Sequence, residues 1–329
     1  MKRNPFIERN SYDASVIVSI YEQSQSLELS LYSLLNQAFN GTYEIVICDD
    51  GSHQDTFVKF ECKFNQAQVP VRYIWQQNKG MRLGGSTNNG ILLAKGKIII
   101  LINGDMLPDR NFIQNHISAH NKPRSIVAGR RMYRDFLELQ EMLSQKDKNR
   151  LLEYIFANQP KDESFSVRQD REHQLRLSWI NSNHPWRACV SCNLSIERNP
   201  EVVFDEHFTG WGADDWELAY RLIKTHGYTP FYEQTAQAYQ LEIPSETENI
   251  FRNGKPKTIL QFIRNVFYFH KKHPEIDKEV LFFNLPKLEL NIQTNQWEVR
   301  LKPLDEGEFS LEEVIKTTKQ WLENHPLEE

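Results

Sequence analysis

The first hundred residues alternate short β-branched runs with stretches of helical periodicity, and this alternation constrains the fold more than any other feature. Four segments have the length and composition of buried strands: 15–20, 43–48, 71–75 and 97–102. Leucines recur at helical spacing between the first two of them, at Leu27, Leu31 and Leu34. Strand and helix in alternation predict an α/β fold: a doubly wound, mostly parallel sheet with helices on both faces.

Acidic turns follow two of these strands, at the carboxyl ends where sheets of this type bind ligands. Asp49 and Asp50 follow the second strand, and Asp105 follows the fourth. Asp50 is either a turn residue or, as an acceptor-only carboxylate, a partner for the N–H of a nucleobase. Asp105 is either part of a solvated turn or a ligand of Mg²⁺ or Mn²⁺, which prefer oxygen ligands and share them with substrate diphosphates.

Another acidic motif, GWGADDWELAYR, begins a predicted helix in the second half of the chain. Gly210 and Gly212 allow a tight bend that presents Trp211. Asp214 and Asp215 then occupy the first helical turn, where acidic residues are ordinary partners of the helix dipole. The same location favours the ionised form, so we expect a carboxylate there to stay a base at neutral pH. Two adjacent acids can also divide roles, one binding a hydroxyl and one taking its proton.

Composition narrows the class of protein. The 329 residues are 40% apolar and 25% charged, which suits a globular protein, and the net charge of −5 disfavours a nucleic-acid partner. No apolar run approaches the roughly 18 residues of a membrane span, and the polar N-terminus lacks the apolar core of a signal peptide. We therefore predict a cytoplasmic protein without a transmembrane segment. Cys189 and Cys192 form a lone C-x-x-C, and we predict structural cysteines because zinc would need a second ligand pair.

Two segments lie outside the alternating pattern. Residues 137–177 are charged, patchily helical and free of glycine, which predicts an insertion over the core, such as a lid or an acceptor-binding arm. The tail predicts an aromatic-rich helix, a hairpin within 287–301 and an amphipathic helix from Ser310. We therefore divide the chain into a domain at 1–253 and an α+β helix-hairpin-helix extension at 254–329.

In order, these motifs resemble those of the family 2 glycosyltransferases, which have the GT-A fold. The run NKGMRLGGSTNNGILLAKGKIIILINGDMLP follows the family's course from an Asn-x-Gly to the strand of its DxD motif, and NFIQNHISAH, VAGRR and CNLS come after it. GWGADDWELAYRL is the most specific match, and resembles the branch that shares this motif with the β-1,4-galactosyltransferases and the bacterial chondroitin polymerases. The resemblance covers roughly residues 14–240, apart from the insertion.

The resemblance implies a role for each motif residue. Asp215 would be the catalytic base, and Asp214 would grip the acceptor. Trp211 would be the aromatic platform between the donor and acceptor sugars, and Asp105, as the last residue of DxD, would bind the metal. Six further residues would contact the nucleotide, its diphosphate or the donor sugar: Tyr21, Glu22, Asp50, Arg82, Asn103 and Asn193. From the residues alone, Arg82 either pairs with a phosphate or caps a loop.

The chain departs from the family pattern at three places. Asn103 replaces the first acid of DxD, so its charge is gone, although its amide can still hydrogen-bond a ribose hydroxyl. The stretch around Gln240 lacks the histidine that relatives use as another metal ligand, and Gln240 offers an amide oxygen instead. The helix that often carries Ala-Arg-Asn has Ser-Thr-Asn at 86–88, so one family arginine is missing. None of these changes touches Asp215.

The resulting hypothesis is an inverting glycosyltransferase of the hexosyl or N-acetylhexosaminyl type, in polysaccharide or glycoside biosynthesis. Its partners would be a nucleoside-diphosphate sugar, with UDP the usual nucleotide of the branch, and a carbohydrate or glycoside acceptor. Its cofactor would be Mn²⁺ or Mg²⁺, and a homo-oligomer is compatible with the sequence.

Two alternatives stay open. One is a non-catalytic carbohydrate-binding or scaffold protein descended from a transferase. The less favoured one is a sugar nucleotidyltransferase, which would need a glycine-rich basic loop where residues 21–25 (YEQSQ) stand.

Overall fold

The computed structural model describes most of the chain: residues 9–53, 55–144, 153–156, 163–242, 256–277, 280–281, 287–291 and 296–300. These residues form two units. The first contains the described residues up to Glu206 and those from Asp214 to Glu242, and the second contains His207–Ala213 and the described residues from Pro256 onward. The domain boundary at residues 253 and 254 stays a prediction. The amphipathic helix predicted from Ser310 lies outside the described residues.

The first unit alternates strands and helices along the chain, and each of the four predicted strands is present. Its elements are β1 (Tyr12–Ile20), α1 (Ser24–Leu34), β2 (Tyr43–Asp49), α2 (Asp55–Gln66), β3 (Val71–Trp75), α3 (Leu83–Leu93), β4 (Gly96–Asn103), β5 (Met106–Pro108), α4 (Phe112–Ala119), β6 (Ser125–Asp135), α5 (Phe136–Ser144), α6 (Glu163–Ile180), β7 (Asn193–Glu197), α7 (Asp214–Lys224) and β8 (Thr229–Glu242).

Within the described residues these strands form one mixed sheet, in the order β3-β2-β1-β4-β7-β6-β8-β5. The strands β3, β2, β1 and β4 are mutually parallel, and β6 is parallel to β8. β7 is antiparallel to both of its neighbours, and β5 is antiparallel to β8. Parallel pairings therefore outnumber antiparallel ones by four to three, and the predicted α/β sheet is confirmed.

Helices cover both faces of the sheet. Three leucines of α1 share a buried cluster with Val16 and Val18 of β1. On the other face, α3 approaches so closely that a Cβ atom added to Gly90 would lie 2.9 Å from Cγ2 of Ile17. Because alternate residues of a strand point to opposite faces, these contacts place α1 and α3 on opposite sides of the sheet. The buried strands are thus apolar on both faces, as their continuous apolar runs require.

In its described part, the charged insertion is anchored to the core of the first unit. Leu139 of α5 is fully buried, and the ring of Phe165 on α6 stacks on Tyr133 of β6 with 6.2 Å between ring centroids. Arg176, farther along α6, is also buried. The helix continues to Ile180, beyond the end predicted for the insertion. This helix packs against the sheet and supplies buried charges there.

The second unit is built on an amphipathic helix, α8 (Pro256–Lys272), and a two-stranded hairpin formed by β9 (Lys287–Asn291) and β10 (Gln296–Arg300). Both were predicted from the sequence. Phe262 and Phe269 of α8 are buried, and the ring of Phe208 lies 4.9 Å from that of Tyr268 between centroids. An aromatic cluster therefore holds this unit together.

Two expectations from composition concern the cysteines and the membrane. Cys48, Cys189 and Cys192 are buried and free, as expected of structural cysteines. No helix among the described residues combines the length and the apolar character needed to cross a bilayer.

Candidate active site

The carboxyl ends of β1, β2 and β4 meet at one edge of the sheet. The backbone N–H of Asp50 donates to the carbonyl of Ile20 at 3.0 Å, and that of Gly104 donates to the carbonyl of Ser19 at 2.9 Å. The turns after β2 and β4 therefore flank the end of β1. Asn103, the last residue of β4, pairs with Ser19 and is half-buried there. The acidic turns that the sequence singled out share this edge.

The carboxylate of Asp50 is buried and held by two protein donors. Its Oδ1 accepts from Nε2 of Gln76 at 2.5 Å, and its Oδ2 accepts from the backbone N–H of Arg82 at 2.6 Å. Burial raises the pKa of Asp50, and these two hydrogen bonds oppose that shift. Arg82 donates its Nη2 to the carbonyl of Gln77 at 2.9 Å, so it caps a loop at the edge of the site. Each oxygen of the Asp50 carboxylate has a second lone pair, so it can accept one more hydrogen bond.

Tyr21 and Glu22 follow β1 and lie beside the turn after β2. Tyr21 is 46% exposed, and its hydroxyl accepts from Nδ2 of Asn78 at 3.1 Å. Glu22 has a φ of +52°, an uncommon conformation for a residue with a side chain. It is held there because its N–H donates to Oγ of Ser52 at 2.7 Å and its carboxylate accepts from the N–H of His53 at 3.0 Å. Backbone strain fixed in this way is typical of functional sites.

Asp105 lies in the turn between β4 and β5, beside β8. Its carbonyl accepts from the N–H of Leu241 at 2.8 Å. Burial raises the pKa of its carboxyl, while a hydrogen bond from Gln240 and the charge of Arg131 act in the opposite direction. Among the described residues, Oδ1 of Asp105 is buried and has no hydrogen-bond partner. A buried carboxylate oxygen without a donor fits a hard divalent cation.

Side chains alone do not complete a metal centre around Asp105. The described residues contain no group of three histidine, cysteine, aspartate or glutamate side chains that could hold an ion. Gln240 is beside Asp105, as the hydrogen bond between their side chains requires, and it can offer an amide oxygen. An ion bound here would take its other ligands from water and a substrate diphosphate, which is the usual arrangement for Mg²⁺.

Asp215, at the start of α7, is held at the same edge of the sheet. Its Oδ2 accepts from the backbone N–H of Ser191 at 3.3 Å. Ser191 lies just before β7, and the first residue of β7, Asn193, pairs antiparallel with Ile102 near the end of β4. The Asp215 carboxylate therefore lies next to the end of the strand from which Asp105 follows.

The Asp214–Asp215 pair is half-buried at the N-terminus of α7. Burial and the charge of Asp215 raise the pKa of Asp214 to about 7. Burial also raises the pKa of Asp215, against the hydrogen bonds from Ser191 and Trp216 and the charge of Arg176. Burial and the charge of Asp215 thus act against the helix dipole at Asp214 and favour its protonated form. A carboxyl group that titrates near the working pH is suited to proton transfer.

Among three hydrogen-bonded charged residues, one arginine acts on each acidic corner through its charge. Arg131 of β6 donates Nε and Nη2 to the carboxylate of Glu172 on α6, each at 2.9 Å. Arg176, one turn further along α6, donates its Nη2 to the same carboxylate at 2.8 Å. Burial raises the pKa of Glu172, but the two arginines overcome that effect and lower it to about 2. Arg131 in turn acts on Asp105 and Arg176 acts on Asp215 through their charges.

The sequence did not single out these three charged residues. Arg131 is the last residue of VAGRR, a stretch that resembles the family without an implied role. Glu172 and Arg176 are four residues apart in a charged helix, a spacing that ordinarily indicates a solvent-exposed pair. Neither segment alone indicates a buried charge. The pair faces inward because Glu172 binds Arg131, which lies 41 residues earlier in the chain.

Trp211 lies in the second unit, in a bend of left-handed residues. Gly210, Gly212 and Ala213 have φ values of +80°, +88° and +68°. The indole packs against Phe262 with 5.3 Å between ring centroids, and a Cβ added to Gly212 would lie 2.7 Å from Cδ2 of that ring. The bend therefore requires glycine for both its conformation and its packing. The platform role of Trp211 stays a prediction.

Asn193 is part of a buried polar cluster that joins α4 to β7. Its Nδ2 donates to two backbone carbonyls at 3.0 and 3.1 Å, and its Oδ1 accepts from Nε2 of His116 at 2.8 Å. The neutral His116 ring then accepts from Ser195 at Nδ1, and Ser195 accepts from Nε2 of His120, each at 2.8 Å. Burial lowers the pKa of His116 to about 3 and that of His120 to about 4, which keeps both rings neutral.

This cluster corrects the expectation that Asn193 contacts the donor sugar. Asn193 is fully buried and its amide is already bonded on both sides, so it braces the sheet beneath the site. The histidines of NFIQNHISAH and the Asn and Ser of CNLS thus have a common structural role.

Replacing Asn193 with alanine should lower the free energy of unfolding by about 3 kcal/mol, because it leaves buried carbonyls and the His116 N–H without partners. Urea denaturation measures this change. The matched control is Asn115→Ala, which removes one exposed amide–carbonyl bond to Thr235 and should cost less than about 1 kcal/mol. Equal losses in the two variants would contradict the bracing role.

Residues 15–178 match the sequence model of a family described as glycosyl transferase family 2. The chain contains a family 2 glycosyltransferase domain. The chain is 28% identical over 290 residues to chondroitin synthase from Escherichia coli, with 81% of this chain and 40% of that protein covered. It is 25% identical over 283 residues to hyaluronan synthase from Pasteurella multocida, with coverages of 80% and 28%. It therefore spans less than half the length of both relatives.

The fold of the chain also resembles solved structures. A mannosyltransferase from Pyrobaculum calidifontis, solved in complex with GDP-Man and Mn²⁺, matches it with a TM-score of 0.51 at 15% identity. The match covers 85% of this chain and 69% of that one. At this identity the likeness concerns the fold alone, and it confirms the predicted GT-A fold.

Proposed function

We propose that this chain is an inverting glycosyltransferase that moves a sugar from a nucleoside diphosphate to a hydroxyl group of a carbohydrate or glycoside. The observation that carries the proposal is that Asp105 and Asp215 both lie near the carboxyl end of β4. Asp215 accepts a hydrogen bond from Ser191 beside the end of β4, and Asp105 is the second residue after that strand. Asp215 would accept the proton of the incoming hydroxyl, and Asp105 would hold a cation near the leaving diphosphate.

The donor is proposed to be a UDP-sugar. The carboxylate of Asp50 would accept the N–H of the base, and the exposed ring of Tyr21 and the carboxylate of Glu22 would flank the base and ribose. The amide of Asn103, at the end of β4, would hydrogen-bond a ribose hydroxyl, and Arg82 would lie near the diphosphate. UDP is preferred because it is the usual nucleotide of the branch that the motifs resemble.

The reaction is proposed to be a single displacement. Asp215 accepts the proton of the acceptor hydroxyl while the oxygen of that hydroxyl bonds to the anomeric carbon. At the same time the bond between the anomeric carbon and the diphosphate oxygen breaks. The diphosphate leaves with the electron pair, and attack from the opposite face inverts the configuration. Asp214, whose pKa is raised by burial and by the charge of Asp215, would hydrogen-bond the acceptor, and Trp211 would support the sugars.

A divalent cation, Mn²⁺ or Mg²⁺, is the proposed cofactor. Asp105 would hold it through the unpartnered Oδ1, with Gln240 as a possible second oxygen ligand. When bound, such an ion supplies positive charge that stabilises a leaving diphosphate. The Mn²⁺ in the Pyrobaculum calidifontis mannosyltransferase, which shares the fold, supports this choice.

A thermal-shift screen tests the donor and the metal together. Sugars of UDP, GDP and dTDP would each be added with Mn²⁺ and with EDTA. We expect UDP-sugars at about 100 times their Kd to raise the melting temperature by about 5 °C, and only with Mn²⁺. No shift with any nucleotide sugar would contradict the proposal.

Release of nucleoside diphosphate separates the enzyme from its main alternative. A transferase should release UDP slowly from a bound UDP-sugar in the presence of Mn²⁺, and faster once an acceptor is added. A non-catalytic scaffold would bind the donor and release none.

The cytoplasmic location and a homo-oligomeric state remain proposals, which cell fractionation and size-exclusion chromatography would test.

A further inference from the structure

Glu172 is the junction between two arginines that belong to different elements. Its side chain is only 14% exposed and that of Arg176 is 3% exposed. Both of its carboxylate oxygens are occupied, one by both arginines and the other by Arg131 and the hydroxyl of Tyr133, which donates at 2.5 Å. A carboxylate with this many charge-assisted donors has one fixed orientation.

Both arginines also contact the segment formed by residues 188–192, which leads into β7. Arg176 donates its Nη1 to the carbonyl of Ala188 at 2.5 Å, and Nη1 of Arg131 lies 3.9 Å from Sγ of Cys192. The N–H that Asp215 accepts comes from Ser191, within the same segment. Arg176 therefore contacts one end of the segment that donates to Asp215, and Arg131 contacts the other end. Glu172 fixes both arginines.

We propose that Glu172 is a positioning residue: by fixing Arg131 and Arg176, it holds the segment 188–192 against Asp215 and sets the charge that Asp215 experiences. The proposal rests on the proposed function only where it takes Asp215 to be the proton acceptor. Glu172 belongs to the charged insertion, so this role also gives part of that insertion a place in the site.

The charges that face Asp215 determine the expected direction of each change. Asp214 faces it from its own helix, and Arg176 faces it from α6. The thiols of Cys189 and Cys192 face it from the segment 188–192, and burial raises the pKa of both, so they are neutral. Among the described residues, Arg176 is a cation, and Asp214 an anion, that act on Asp215. Glu172 stays ionised above its pKa of about 2 and offsets Arg176.

Two variants should shift the titration of Asp215 in opposite directions. Glu172→Gln keeps the shape of the side chain and an oxygen that accepts from the arginines, so the segment 188–192 should stay in place. It leaves Arg176 without its counter-charge, which favours the ionised form of Asp215 and lowers the midpoint. Arg176→Gln removes the cation and raises the midpoint. We expect each shift to be about 0.5 to 1 pH unit. Because Asp214 and Asp215 interact, the midpoints belong to the pair.

Carbon-13 NMR of side-chain carboxyl groups measures these midpoints on the full chain. Aspartate labelled at Cγ gives the signals, and the spectra of Asp214→Asn and Asp215→Asn assign them. Opposite shifts support the proposal, whereas unchanged midpoints in both variants, or shifts in one direction, would overturn it. If Glu172→Gln does not fold, Glu172→Asp keeps the charge and should leave the midpoint near that of the original chain, while Arg176→Gln still must raise it.

Glu44→Gln is the matched control. Glu44 is 1% exposed and carries a buried ion pair with Arg72 at 2.5 Å, plus hydrogen bonds from Ser15 and Lys95. It lies near the amino end of β2, so it is at the opposite edge of the sheet from Asp50. Its replacement should lower the melting temperature without moving the titration of the Asp214–Asp215 pair, which separates a lost buried charge from a lost positioning contact.

Failure of the proposed function is recognised separately. With a donor identified by the thermal-shift screen, the acidic limb of the transfer rate against pH should move with the NMR midpoints. If the unaltered chain transfers no sugar but the midpoints shift as expected, the proposed function fails and the role of Glu172 at Asp215 stands. If it transfers sugar and neither variant moves the limb or the midpoints, the role of Glu172 fails and the proposed function stands.

Discussion

Asp215→Asn should lose sugar transfer by at least about 10³-fold and keep the affinity for the donor. Asparagine has nearly the same shape, and its amide oxygen can still accept from the N–H of Ser191. It cannot take the proton of an acceptor hydroxyl, so only the chemical step is lost. Initial rates with a saturating donor measure the first quantity, and calorimetry with UDP-sugar and Mn²⁺ measures the second.

The stability of this variant separates lost chemistry from lost folding. Burial raises the pKa of Asp215 in the folded chain, so its ionised form destabilises the fold above the pKa of the unfolded chain. Removing the charge should therefore leave the melting temperature at pH 8 unchanged or higher. Asp13→Asn, at the opposite edge of the sheet, is the control and should transfer sugar normally. Near-normal transfer by Asp215→Asn would remove Asp215 as the base.

Local patterns accounted for the elements of the fold. The β-branched runs identified β1 to β4, because a strand buried on both faces needs a continuous apolar sequence and leaves little room for another interpretation. The helix and hairpin of the second unit also follow from local periodicity. Each of these signals lies within one element or one hairpin, so it can be recognised without knowing its neighbours in space.

The antiparallel strand β7 depended on contacts that no local pattern contains. Its register joins Asn193 to Ile102, ninety-one residues earlier, and this pairing brings Ser191 to the end of β4. The sequence offered Asn193 as a donor contact because the motif resembles the family there. Its actual partner, His116, lies 77 residues away, and only their buried pairing shows that the amide is not available to a ligand.

The pKa of Asp214 also could not be inferred from its neighbours in the sequence. The position of Asp214 in a first helical turn predicts a stabilised carboxylate, and that effect is about 1 kcal/mol or less at an exposed helix end. Burial beside Asp215 acts in the opposite direction and dominates, raising the pKa to about 7. Burial depends on which elements cover the helix end, so a rule based on helix position alone misses the direction of this pKa shift.

Asp105→Asn should weaken UDP-sugar binding by at least about 100-fold when Mn²⁺ is present, equivalent to about 2.7 kcal/mol. The substitution keeps the shape of the side chain and removes the charge that would hold the ion. In EDTA the variant should bind the donor no more weakly than the original chain, because neither then has the cation that Asp105 would hold. Calorimetry under both conditions measures the four affinities.

The comparison between Mn²⁺ and EDTA is decisive, because a variant that merely disturbed the turn between β4 and β5 would lose donor affinity under both conditions. Gln240→Leu is an informative second variant. If the amide only donates to the Asp105 carboxylate, its loss should raise the Mn²⁺ concentration needed for binding by a few-fold. If Gln240 is itself a ligand, the increase should approach that of Asp105→Asn. Equal donor affinity of the original chain and Asp105→Asn in Mn²⁺ would mean that Asp105 is not a metal ligand.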